Sequence, residues 1–66
     1  MQITINGKPQ DFDAANSLEA VICQLCADNR YVLAELNGQI VRRPEWAGTE
    51  LKSGDKLELV TLVGGG

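Results

Sequence analysis

Only one stretch of this chain repeats with the period of a helix. Leu18, Val21, Ile22 and Leu25 fall at i, i+3, i+4 and i+7, the spacing that lines one face of an α-helix. Cys26 lies on the border of that stripe and Cys23 well round from it. Asn16 or Ser17 supplies the N-cap, Asn16 and Glu19 have the spacing of a capping box, and the helix is expected to end near Asp28-Asn29. A helix of about three turns is not stable alone in water, so its stripe must rest on another layer. The flanking segments are short, alternating and punctuated by turn signals, which makes that layer a sheet and excludes an all-helical chain.

Gln2 to Asn6 alternate polar and apolar, and Asn6-Gly7 is a hairpin signal leading to a second short strand that ends near Phe12. Ile3, Ile5 and Phe12 are the expected inward side chains. Pro9 has no amide proton to give a ladder, so this strand belongs on an edge or begins after the proline. Beyond the helix, Tyr31 to Leu36 reads as a strand, Asn37-Gly38 as a second turn and Gln39-Ile40-Val41 as its partner. Pro44 suits the start of a short helical turn that would fold Trp46 back onto the domain. After the turn at Ser53-Gly54-Asp55, Lys56 to Val63 carries Leu57 and Leu59 on one side and Val60 and Leu62 on the other. A strand with apolar groups on both faces belongs in the middle of a sheet. The whole is expected to be α+β: a mixed sheet of about five strands, first and last as central parallel neighbours, with one main helix across one face. That is the β-grasp arrangement.

Sixty-six residues allow one domain, here 1–66 with 64–66 as a flexible C-terminal tail. Six basic and nine acidic side chains leave a formal charge of −3, with no basic cluster to grip phosphates, so nucleic acid is not an expected partner. No apolar run is long enough to span a membrane and no basic leader precedes an apolar stretch, so the expected compartment is cytoplasmic. Cys23-Gln24-Leu25-Cys26 has redox spacing but falls inside the helix instead of at its start, where the dipole would lower a thiol pKa. Two thiols and no histidine do not complete a zinc site. The expectation is one packed cysteine and one at the helix flank, with no metal and no stably bound cofactor.

The sequence closes on Val63-Gly64-Gly65-Gly66. Three glycines have no side chain to pack and much entropy to lose, so they favour an extended tail that can thread a narrow channel and present a carboxylate. A carboxylate is a poor electrophile until a leaving group is attached. Adenylation by ATP supplies one, and no internal arrangement of Ser, Cys or His could do so in this chain. The chain is therefore read as a carrier or substrate, not a catalyst.

Met1-Gln2-Ile3 with Asn6-Gly7, Ser17-Leu18, Asn37 before Ile40-Val41, Arg43, Trp46, Gly54-Asp55 and the glycine ending together mark a resemblance. The chain resembles the bacterial sulfur carriers of thiamine biosynthesis, small ubiquitin-like proteins, over essentially its whole length. The resemblance implies that the carboxylate of Gly66 is adenylated by a ubiquitin-activating-like adenylyltransferase, using that enzyme's ATP, and becomes a thiocarboxylate. It implies a sulfur donor protein upstream and thiazole synthase as the recipient, with Gly64 and Gly65 giving slender access to both active sites. Val60, Leu62 and Arg43 are the candidates for partner docking, through a modest apolar centre with an acidic rim. One departure stands out: the family often has Pro between the Ile-Val pair and Arg, where this chain has Arg42, its proline following at Pro44. A reshaped local turn is expected there. Rival readings are a sulfur carrier for molybdopterin, a protein-conjugation modifier and a binding module whose tail has no chemistry. An acyl carrier, suggested by Asn16-Ser17-Leu18, fits poorly with a largely β pattern.

Overall fold

Two Asn-Gly pairs fix the hairpins from which the sheet is built. In the computed structural model, which describes residues 1–13, 17–26 and 28–61, Asn6 and Asn37 have φ of 49° and 50°, and Gly7 and Gly38 have φ of 84° and 86°. Successive positive φ values make the tight turn whose twist matches a β-hairpin, and Asn and Gly are the residues that tolerate them. The first turn joins β1 (Gln2–Ile5) to β2 (Lys8–Asp11), and the second joins β3 (Val32–Leu36) to β4 (Gln39–Val41). Between the hairpins lies α1 (Leu18–Leu25); after them come a 3₁₀ helix (Arg43–Gly48) and β5 (Lys56–Thr61).

The strand order is β2-β1-β5-β3-β4. β5 runs parallel to β1 and antiparallel to β3, so the last strand in sequence is central in space, as its two apolar faces predict. Pro9 sits in β2 at the edge of the sheet, where its missing donor costs no ladder bond. This is the β-grasp arrangement expected from the order of elements.

Helix α1 covers one face. Ser17 caps it, its side chain accepting from the amide of Ala20 at 3.1 Å, and Leu18, Val21 and Ile22 are buried. Asn16, and with it half of the expected capping box, lies outside the described residues. Across from the helix stand Ile3, Ile5, Val32, Ala34 and Leu57; Trp46 and Leu51 complete the core, and Phe12 and Cys26 pack against its margin. Trp46 is only 1% exposed and donates from its indole to the carbonyl of Val41 at 2.9 Å, so the turn around Pro44 does fold it back onto the domain.

Three boundaries differ from the sequence reading. The helix stops at Leu25, not near Asp28-Asn29: Cys26 is already extended, and Asp28 turns the chain by accepting from the amide of Arg30 at 3.2 Å. Such a side-chain acceptor two residues back competes with helix continuation. The third strand begins at Val32 because the amide of Val32 bonds the carbonyl of Asn29, placing Tyr31 in the turn. β1 ends at Ile5, since the left-handed Asn6 cannot continue it. Leu62 and Val63 lie outside the described residues, so β5 is described to Thr61.

Because Trp46 fills the end of a small core and its N–H is satisfied there, Trp46→Ala should cost about 3–5 kcal/mol. Urea unfolding followed by circular dichroism measures this. A loss below about 1 kcal/mol would contradict the core role given to the indole.

Candidate functional site

β5 is the element that carries the chain to its last residues. Leu62, Gly64, Gly65 and Gly66 lie outside the described residues, and the described part of the site is what surrounds the end of β5. Thr61 pairs with Val32, Val60 with Leu33 and Leu59 with Ala34, which puts the start of β3 beside the end of β5. Val41 of β4 also pairs with Ala34, so the chain leaving β4 through Arg42 and Arg43 runs toward the same end of the sheet.

Strand alternation separates two faces. Leu57 is buried and Leu59 half-buried beneath the helix, whereas Val60 is 52% exposed on the open face. That decides which of the two apolar sets of β5 meets the core. Leu33, directly across from Val60, and Ile40 of β4 stand on the open face as well, both exposed. Glu35 lies between them in register, opposite Ile40 on one side and Glu58 on the other. Two carboxylates directly opposed across a ladder are unfavourable, so this pair adds negative potential to the face at some expense of stability. The open face thus presents Leu33, Ile40 and Val60 with carboxylates among them.

Arg43 shares an end of the sheet with Val60 but not a face. Its guanidinium donates to Oδ1 of Asn29 at 3.0 Å, beyond the helix, and Asn29 donates from its own amide to Sγ of Cys23 at 3.4 Å. Arg30 stacks over the ring of Tyr31, 5.6 Å from its centroid, and pairs with Asp28 through two nitrogens at 3.0 and 2.9 Å. Those hydrogen bonds hold the Asp28 carboxyl at about 2, below the ordinary 3.8, with the charge of Arg43 adding a smaller push in the same direction. Arg42 donates its amide to Glu45, and Glu45 returns its amide to the carbonyl of Arg42 at 2.8 Å. The turn after β4 is therefore closed by Glu45 through both its side chain and its backbone, with Pro44 inside the 3₁₀ helix.

Both cysteines are free thiols, Cys23 exposed and Cys26 half-buried, in the division the helical stripe predicts. Among the described residues no group of three or more His, Cys, Asp or Glu side chains could hold a metal ion. Among them, too, no helix is long and apolar enough to cross a membrane. The sequence reading missed Leu33, Ile40, Glu35 and Glu58 as a surface. Their signal was the alternation within Val32–Leu36, obscured because Leu33 sits inside a continuous apolar run.

The comparisons with known proteins point one way. The ThiS family model matches residues 3–66. A crystal structure of the thiamine biosynthesis protein ThiS from Geobacter metallireducens superposes with a TM-score of 0.86 at 35% identity, covering all of both chains. A solution structure of a thiamine biosynthesis protein from the same organism gives 0.80 at 35% identity, over all of this chain and 88% of that one. A thiazole synthase of Paramagnetospirillum magneticum is 39% identical over all 66 residues, which amount to 20% of its own length. The chain thus spans about a fifth of the thiazole synthases it matches. An uncharacterised protein, ycf40, of Pyropia yezoensis is 35% identical, with 93% of its length covered.

The Asp28–Arg30 pair gives a pH prediction. The lowered carboxyl favours the folded state above its unfolded value near 3.8, and this contribution fades as pH falls through about 2. It should be small, because both side chains are exposed. Carboxyl-detected NMR should find Asp28 titrating near 2, and Arg30→Gln should move its midpoint up toward 3.8. An unmoved midpoint would contradict the assignment to Arg30.

Proposed function

The chain belongs to the ThiS family, and from that membership we propose that it is the sulfur carrier protein of thiamine biosynthesis, bearing its sulfur as a thiocarboxylate on Gly66. The observation that carries this reading is a family match running from Ile3 to Gly66, so that the glycine ending falls within the matched segment. The full-length likeness to a ThiS structure supports it.

The chemistry follows from the carboxylate. One oxygen of the Gly66 carboxylate attacks the α-phosphorus of ATP held by a ubiquitin-activating-like adenylyltransferase, and pyrophosphate leaves. The resulting acyl-adenylate is a mixed anhydride with a good leaving group. Hydrosulfide released by a donor protein adds to its carbonyl carbon, AMP departs with the bonding pair, and the thioacid loses its proton to solvent. The thiocarboxylate that remains is a soft nucleophile suited to delivering sulfur to thiazole synthase. ATP is the partner's substrate, and the carrier binds no cofactor of its own. The role calls only for a slender terminus, and Gly64 and Gly65 offer no side chain to obstruct a narrow passage.

Thiazole synthase as recipient draws support from the synthases that contain a segment like this chain. A carrier continuous with its client keeps the delivered group at high effective concentration. Docking is assigned to the open face around Val60, Leu33 and Ile40, where a partner with a basic rim would relieve the opposed Glu35 and Glu58. Arg43 and Leu62 are assigned to the margin of that contact. Carriage and delivery are both placed in the cytoplasm.

Pyrophosphate release in the presence of the adenylyltransferase and ATP tests this reading. The intact chain should support it, and removal of Gly66 should reduce it to background. Val60→Arg should raise KM for the carrier about tenfold, with kcat changed far less. Undiminished release without Gly66 would refute the carrier role, and an unchanged KM would refute the docking face.

A further inference from the structure

The side chain of Asn6 replaces a stretch of backbone. In the parallel ladder between β1 and β5, the amide of Thr4 bonds the carbonyl of Asp55 at 3.0 Å and that of Asn6 bonds the carbonyl of Leu57 at 2.9 Å. The next rungs would join Leu59 to the carbonyl of residue 6 and the amide of residue 8. The chain has already turned away at Asn6-Gly7, so those backbone groups are not the ones Leu59 meets. Instead the amide of Leu59 donates to Asn6 Oδ1 at 2.8 Å, and Asn6 Nδ2 donates to the carbonyl of Leu59 at 3.2 Å. A primary amide presents an N–H donor and a carbonyl acceptor in one plane, as a peptide unit does. Asn6 thereby extends the β1 side of the ladder past the last paired residue of β1.

Asn37 performs the corresponding task at the other end of β5. Its backbone amide donates to the carbonyl of Lys56 at 2.8 Å, the amide of Lys56 donates to Asn37 Oδ1 at 2.9 Å, and Asn37 Nδ2 donates to Asp55 at 3.0 Å. The two residues have nearly the same φ and each precedes a left-handed glycine. They differ in what lies beyond the rung they hold. Asn37 secures the entry to β5, whereas Asn6 secures Leu59, two residues before the described end of the strand at Thr61.

We propose that Asn6 is a positioning residue for the carrier chemistry: by pairing both backbone groups of Leu59 it fixes the direction in which β5 delivers the chain toward Gly66. This role rests on the carrier reading above. Docking through the open face sets where the domain lies on its partner, and the course of β5 sets the line along which Thr61 hands the chain on toward that partner. Misaiming a reacting group slows the chemical step without changing how the body of the protein binds. Loss of the Asn6 amide should therefore appear in kcat and not in KM.

Asn6→Asp keeps the shape and the tolerance of positive φ but replaces the donor with a carboxylate oxygen facing the Leu59 carbonyl. Asn6→Gly removes both bonds and accepts the backbone conformation without strain, which guards against a folding failure peculiar to the aspartate. Asn37→Asp is the matched control. Hydrogen exchange followed by NMR should show the Leu59 amide exchanging at least about tenfold faster in both Asn6 variants, with Ile22 and Leu57 little changed. Steady-state pyrophosphate release with the adenylyltransferase, run well below the melting temperature, should show kcat falling about tenfold for both Asn6 variants at an unchanged carrier KM. Asn37→Asp should stay within about twofold of wild type in kcat, whatever it costs in stability. An active wild type with unimpaired Asn6 variants, or an equal loss of kcat in the Asn37 control, overturns the positioning role alone. A wild-type chain that is never adenylated overturns the carrier reading and takes this role with it.

Discussion

The placement of β5 between β1 and β3 is the constraint on which the rest of the structure depends. A strand parallel to one neighbour and antiparallel to the other joins two hairpins that would otherwise be separate ribbons. The parallel contact with β1 needs a crossover, and the chain between the hairpins includes the helix that covers the joined face. Leu57 then shares one buried cluster with Val21 and Ile22, and a core becomes possible in a chain with little volume to bury. Among the described residues few ladder bonds link β1 directly to β5, with Thr4–Lys56 and Ile5–Leu57 in register. The amides of Asn6 and Asn37 lengthen the grip on β5 at opposite ends, so two turn residues also act as sheet residues.

The same strand links stability to function. Its buried face holds the domain together, its exposed face contributes Val60 to the proposed docking surface, and its end leads to the glycines. Such an economy has a cost, visible in the opposed carboxylates of Glu35 and Glu58. A domain selected only for stability would pair one of them with a cation, since opposite charges across a ladder are favourable. A surface meant to meet a basic partner can keep both. On the proposed function the reactive group needs no pocket within the carrier, because activation and sulfur transfer are assigned to the partners.

Much of this was legible in the sequence, for reasons that can be named residue by residue. The Asn-Gly pairs carry their φ requirement openly, and the stripe from Leu18 to Ile22 reads as a helix face. Pro44 followed by Trp46 signalled a turn that returns a large aromatic to the core. Leu51 was not legible as core: it stands alone in a polar segment, with no period to announce it, and is buried because the loop lies against the helix start, where the amide of Leu18 bonds the carbonyl of Thr49. The early end of the helix was hidden too, since Asp28 acts on the chain two residues away through a side-chain bond that has no periodic trace. The glycine ending and the family resemblance are what point to the Gly66 carboxylate in the proposed function. The contact from Asn6 to Leu59 joins residues 53 apart in sequence, and one chain read alone gives no sign of it.

The account rests most directly on the fate of the Gly66 carboxylate. The decisive measurement is intact-mass spectrometry, with fragmentation of the tail, of the chain after incubation with its adenylyltransferase, ATP and a sulfur donor. The account predicts a mass gain equal to the exchange of one oxygen for sulfur, confined to the fragment that ends at Gly66. An unmodified chain recovered from a mixture whose enzyme charges another carrier would contradict it, as would sulfur located on Cys23 or Cys26.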